Sequence, residues 1–136
     1  MISLREATKD WVKDWVSDGC WRIAPAGVPW IEEGCRIMVG EDVYIGEGVS
    51  IRDRVTIGDW VNIYDRVDIG EGVTIDKWVY IGKGAIIGDG AMIGKGAVIS
   101  EGVIIGDVAV IGDGAIIRCG AKVAKFTLIY QCEIVK

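Results

Sequence analysis

Between residues 52 and 80 the chain sets Trp60, Trp78, Tyr64, Tyr80, Asn62, Arg54 and Arg66 close together in sequence. Aromatic faces beside guanidinium groups can grip a sugar, a nucleotide or another protein, through ring stacking and cation–π attraction. The same residue types are enriched at subunit interfaces, so an interface between copies competes with a ligand site. Carboxylates lie in the same stretch: Asp53 beside Arg54, and Asp65 and Asp68 beside Tyr64 and Arg66. A general base needs reach and a pKa near the working pH. With no histidine among 136 residues, a carboxylate would have to fill that role, although the spacing of these three does not set them apart from surface charges. Cys20, Cys35, Cys119 and Cys132 form no CxxC pair. Without histidine partners, zinc would require four converging thiolates, so no metal site is assigned.

These residues are carried on a strict six-residue period. From Val39 an aliphatic residue returns at Ile45, Ile51, Ile57 and every sixth position to Val123 and Ile129. A second aliphatic series sits two residues ahead, from Ile37 and Val43 to Ala121, and slips at Thr127. In a strand, residues two apart share a face, so both series point inward and the residue between them points out. Glycine recurs in register with the period, where a corner needs a backbone conformation that other residues tolerate poorly. Asp42, Arg54, Trp60, Arg66, Trp78, Val108 and Phe126 stand where the repeat calls for corner glycine.

Segments such as "IGEGVS", "IGEGVT", "IGKGAI", "IGDGAM" and "IGKGAV" resemble the hexapeptide-repeat family of left-handed parallel β-helices, which includes acyltransferases and γ-class carbonic anhydrases. The resemblance covers residues 37–129. It implies an all-β, single-stranded left-handed parallel β-helix in which three hexads make one triangular coil and residues 18 apart stack. About five coils are expected, roughly 25 Å tall at the usual strand spacing. Trp60 and Trp78 should then stack at one corner. The outward columns turn apolar toward the C-terminus (Met92, Val110, Leu128; Val98, Ile116; Ile86, Ile104). Contiguous apolar surface marks a contact, and the family usually forms trimers, so a homotrimer is expected, with room for a protein partner on the exposed aromatic and apolar columns. Asp53, Glu71, Asp89 and Asp107 fall in one column, which suits a solvated ridge or a weakly held hard cation.

Residues 1–36 are expected to form an N-terminal helix and cap. Ser3 with Glu6 makes a capping box, apolar residues recur at helical spacing, and Gly19 can end a helix over about residues 4–17. Trp21, Trp30, Ile31 and Ile37 should lie over the first coil, because a bare terminal coil exposes apolar surface and strand edges. Residues 130–136 are expected to be a C-terminal tail. The net charge of -5, without a basic run, argues against nucleic acid. No apolar run is long enough for a leader or a membrane span, which makes the cytoplasm the default.

The family's acyltransferases use a histidine as base, and its carbonic anhydrases hold zinc with three histidines. Neither can be matched here. Nor does an inserted loop interrupt the hexads between 39 and 129. The sequence therefore favours a non-catalytic, homo-oligomeric scaffold or binding protein without cofactor, of the kind a phage or mobile element could supply. The alternative is a divergent acyl-CoA-dependent acyltransferase without a catalytic histidine, for which coenzyme A would be the acyl donor. A consensus-like engineered solenoid fits the regularity but not the irregular first 36 residues.

Overall fold

The structure, a computed structural model, describes residues 15–135. Most hexads fold into one two-residue strand followed by one corner. The strand residues are an outward side chain and then the buried beat of the period, as in Asn62–Ile63 and Asp68–Ile69. The strands stack as three parallel sheets, the faces of a triangular prism. Face one holds Arg36–Val39, Val55–Ile57, Thr74–Ile75, Met92–Ile93, Val110–Ile111 and Leu128–Ile129. Face two holds Tyr44–Ile45, Asn62–Ile63, Tyr80–Ile81, Val98–Ile99, Ile116–Ile117 and Ile134–Val135. Face three holds Ser50–Ile51, Asp68–Ile69, Ile86–Ile87, Ile104–Ile105 and Lys122–Val123. Tyr80 pairs with Asn62 below and Val98 above, and Met92 with Thr74 and Val110, so residues 18 apart do stack. The winding is left-handed, over about six turns.

The core is a column. Ile45, Ile63, Ile69, Ile81, Ile99 and Ile117 are wholly shielded, and no buried polar or charged residue occurs among the described residues. The companion inward series is Val from Val43 to Val79 and mostly Ala from Ala85 to Ala121. Burial scales with coil number, so even a short chain of this kind accumulates a large core.

Two different constraints shape the corners. The fourth hexad position takes a left-handed backbone: all seven non-glycine corners expected from the sequence have φ between 55° and 62°, including Trp60 at 62° and Trp78 at 61°. The position after the buried isoleucine is glycine in most hexads, with exceptions that include Arg52, Tyr64, Asp76, Ser100 and Arg118, and for another reason. A Cβ on Gly82 would lie 2.6 Å from the Glu101 amide nitrogen, because the next coil passes directly over it.

The ends depart from the sequence expectation. Residues 4–14 of the expected helix lie outside the described residues, and its last turn is instead strand. Val16–Asp18 pairs antiparallel with Trp21–Ile23 around Gly19 and Cys20. Gly19, at φ 65°, provides the left-handed first position of a tight hairpin rather than a helix stop. Trp21–Ile23 then pairs antiparallel with Arg36–Val39, which covers the open edge of face one. Trp30 and Ile31 are buried over the first coil, and Trp15 stacks on Trp30 at 5.8 Å between ring centroids. At the other end the ladder runs on into the segment expected to be a tail. Ile134–Val135 pairs with Ile116–Ile117 after a further left-handed corner at Cys132, φ 58°. Val135 is the next beat of the period. Glu133 hides it in the sequence by standing where Val or Ala is usual; the residue is exposed, and its carboxylate accepts the Tyr130 N–H at 3.0 Å.

Candidate functional site

The corner acids have a structural use. Asp59, Asp65, Asp89, Asp107 and Asp113 each accept the backbone N–H of the residue 18 positions earlier, at 2.9 to 3.0 Å. A short carboxylate reaches the coil below and satisfies a donor that the corner leaves open. The stacked acids Asp89 and Asp107 are therefore engaged with the backbone of Glu71 and Asp89. No group of three or more His, Cys, Asp or Glu is placed to hold a metal among the described residues.

Six of the seven side chains singled out in the sequence share one side of the prism. Asn62 and Tyr80 point out from face two. Trp60 and Trp78 occupy the edge between faces one and two, and Tyr64 and Arg66 the edge between faces two and three. Arg54 stands apart, on the edge between faces three and one, 3.7 Å from Asp53. Trp60 and Trp78 share a corner, as expected, at 54% and 55% exposure, but their rings do not stack on each other among the described residues. The Lys95 ammonium takes the face of Trp78 instead, 4.8 Å from the ring centroid. Arg66 lays the stem of its side chain over Gly48.

The tyrosines form the ordered part of this surface. Tyr64 lies 4.8 Å from Tyr80 and 5.5 Å from Tyr44 between centroids, with tilted planes. Burial, then the neighbouring phenols of Tyr80 and Tyr44, push the Tyr64 hydroxyl above its ordinary pKa, so it stays protonated and able to donate.

The column that carries Tyr64 reads Gly46, Tyr64, Gly82, Ser100, Arg118. Because Gly82 has no side chain, a gap opens between Tyr64 and Ser100. It is a hollow of about 320 Å³, walled on the face side by Tyr80. Asp65, Lys83, Glu101 and Cys119, one per coil, line its other side. Of these, the sequence singled out Tyr64, Tyr80 and Asp65. Lys83, Ser100 and Glu101 were missed, although one glycine between Tyr64 and Ser100 in an 18-residue column was the available signal.

The remaining candidate acids are held by arginine. Asp53 accepts the Arg36 backbone N–H at 2.7 Å and pairs with its guanidinium at 2.9 Å, which holds the carboxyl below its usual pKa despite partial burial. Asp68 pairs with Arg52, and that bond in turn keeps the guanidinium protonated more firmly than usual. A carboxylate stabilised in its charged form is a weak base, so Asp53 is poorly suited to accept a proton. Asp65 gives one oxygen to the Glu47 N–H at 3.0 Å but still faces the hollow.

Comparison with known proteins places this geometry. Residues 66–101 match the family described as bacterial transferase hexapeptide (six repeats). A hexapeptide transferase family protein from Anaplasma phagocytophilum superposes with a TM-score of 0.72 at 25% identity, over 80% of this chain and 66% of that one. A perosamine N-acetyltransferase from Caulobacter crescentus, solved with CoA and GDP-perosamine, superposes at 0.64 with 19% identity, over 80% of this chain and 52% of that one. The chain thus spans about two thirds of the first protein and half of the second. No curated protein matches it. The chain has the hexapeptide-repeat, acyltransferase-like β-solenoid fold. This corrects the expectation of a non-enzyme, which rested on the missing histidine: the Anaplasma and Caulobacter proteins are a transferase family protein and an acetyltransferase, and the Anaplasma protein is 25% identical to the chain. No helix among the described residues is long and apolar enough to cross a membrane.

Proposed function

We propose that this chain is the β-solenoid of an acyl-CoA-dependent acyltransferase that works as a homo-oligomer. The observation that carries the reading is the match in both fold and sequence to a hexapeptide transferase family protein, across 80% of the chain. An acyl thioester supplies an activated carbonyl. A hydroxyl or amine of the acceptor attacks it, the carbon–sulfur bond breaks, coenzyme A leaves as the thiol, and the acceptor's proton passes to a base.

With no histidine in the chain, that base is a carboxylate. Glu101 and Asp65 are the candidates, since both face the hollow beside Tyr64 and Tyr80. A second hollow, of about 420 Å³, lies on face one and its edge with face two, lined by Met38, Thr56, Thr74, Asp59, Asp76 and Lys77 among others. Its thioether and hydroxyls suit the chemistry of a pantetheine arm, beside two carboxylates and one cation. The second hollow reaches the edge between faces one and two at Asp59 and Lys77, and the first reaches face two at Tyr80, so the two flank the same face.

The apolar outer columns offer the contact. Met92, Leu128, Ile116, Ile86 and Ile104 are all exposed. Placing Asp at Val110 and Ile116 should shift sedimentation to smaller species and abolish transfer. An unchanged oligomer would show that these columns are not the contact. Equilibrium dialysis with acetyl-CoA tests the donor. The assembled protein should retain it and the V110D/I116D variant should not; no retention by the assembled protein would remove the reading.

A further inference from the structure

We propose that the hollow beside Tyr64 and Tyr80 binds a pyranose ring carrying equatorial hydroxyls. Such a sugar has two chemically different sides. Its axial C–H bonds form an apolar face that packs on an aromatic ring, while its rim carries hydroxyls that both donate and accept hydrogen bonds. The hollow offers both in one place.

Tyr64 and Tyr80, 4.8 Å apart and inclined at 43°, make a stepped aromatic wall rather than a closed stack. The rim opposite has two carboxylates, an ammonium and a hydroxyl, from Asp65, Glu101, Lys83 and Ser100. Carboxylates accept from sugar hydroxyls, the ammonium donates to them, and Ser100 does either. Its volume of about 320 Å³ lies at the lower end of small-molecule sites, which run from roughly 300 to 1,000 Å³. An aliphatic ligand or an apolar peptide side chain would make no use of these donors and acceptors, whereas a sugar rim pairs with them. The gap exists because position 82 is glycine between Tyr64 and Ser100, and a Cβ there would strike the backbone of Glu101. The opening is therefore built into the packing of the coils.

As the acceptor site of a transferase, the hollow rests on the reading above. As a binding site it does not, and its test contains no acyl donor. Saturation-transfer NMR with methyl β-D-glucopyranoside should show transfer strongest at the axial protons of one ring face. Two variants then decide the location. Tyr80→Ala removes the wall. Ser100→Arg fills the gap, and the same column already accepts Arg118 one coil above. Each should reduce transfer at least fivefold while the far-ultraviolet spectrum stays that of the parent. If Tyr80→Ala fails to fold, Ser100→Arg alone decides. Absence of transfer to the parent protein, or transfer unaffected by Ser100→Arg, would overturn the proposal. So would adenosine saturating at its base more strongly than the glucoside at its ring.

Discussion

The first coils and the last coils of the prism share a buried isoleucine column, flanked by Val in the first and mostly Ala in the last, and differ in almost everything outside it. Both halves bury isoleucine at every sixth residue, to the same completeness at Ile63 and Ile117. The first half carries its corners on Asp42, Arg54, Trp60, Arg66 and Trp78, all in a left-handed backbone that L-residues adopt at a cost of roughly 1–2 kcal/mol each. It also carries the Arg36–Asp53 and Arg52–Asp68 pairs, the tyrosine cluster and the hairpin over its end. Beyond Gly84 the corners return mostly to glycine, and the outward side chains become Ile86, Met92, Ile104, Ile116 and Leu128. The difference separates two kinds of information. The interior specifies the coil and repeats. The exterior breaks the repeat in the first half, at an energetic cost, and turns apolar in the second; under the proposed function, the first serves binding and the second the contact between copies.

Interior substitutions should not distinguish the halves. Ile63→Ala and Ile117→Ala each remove a wholly shielded side chain from face two and should cost about 2–5 kcal/mol. Urea unfolding should place both values within that range. A much smaller loss at Ile117 would mean that the Ala-rich coils pack less firmly, and that the halves differ inside as well.

Substitutions in the exterior ion pairs should matter in the first half, which carries the Arg36–Asp53 and Arg52–Asp68 pairs. Asp53→Asn weakens the pair with Arg36 and should cost roughly 1–2 kcal/mol at neutral pH. The folded pKa of Asp53 is depressed. Its contribution is therefore full above the unfolded carboxyl's value of about 3.9 and is lost as the pH falls through the folded value. Parent and variant should differ in melting temperature at pH 7 and converge in strong acid. A constant difference across that range would assign the effect to packing instead of charge.

The smallest effect on stability is the most informative about use. Trp60→Gly and Trp78→Gly relieve two left-handed tryptophans and should leave the fold intact. Each should gain up to about 1 kcal/mol, offset at Trp78 by a cation–π contact worth roughly 0.5–1 kcal/mol. Thermal unfolding checks this. A marked loss of stability would make the tryptophans structural and would dissolve the contrast between the corners of the two halves.

Much of the fold was legible because the period is redundant. Ile45, Ile63, Ile81 and their neighbours repeat one instruction, and the corner substitutions could be located by counting. The termini were less legible for opposite reasons. Gly19 supports either a helix stop or a hairpin turn, and local sequence does not choose between them; pairing of Trp21–Ile23 with Arg36–Val39 does. Glu133 masks the last beat with a polar residue that solvent accommodates. The site was half legible. Aromatic and guanidinium side chains announce themselves, but a hollow is made by what is missing. Gly82 reads as one more repeat glycine until the 18-residue column sets it between Tyr64 and Ser100. The reading of function carried the acyltransferase only as its alternative because of a single residue type: the absence of histidine argues against one way of moving a proton, and not against acyl transfer.

The most direct test of the account is acyl transfer by the assembled protein. Acetyl-CoA and a mixture of sugar and amine acceptors would be incubated with it, and acetylated product and free coenzyme A quantified by mass spectrometry. The account predicts acceptor-dependent release of coenzyme A, matched by acetylated product. That release should fall at least a hundredfold in the Asp65→Asn, Glu101→Gln double variant, in keeping with the usual contribution of a general base. Product formed at the parental rate by that variant would contradict the carboxylate assignment, and no product from the parent protein with any acceptor would contradict the transferase reading itself.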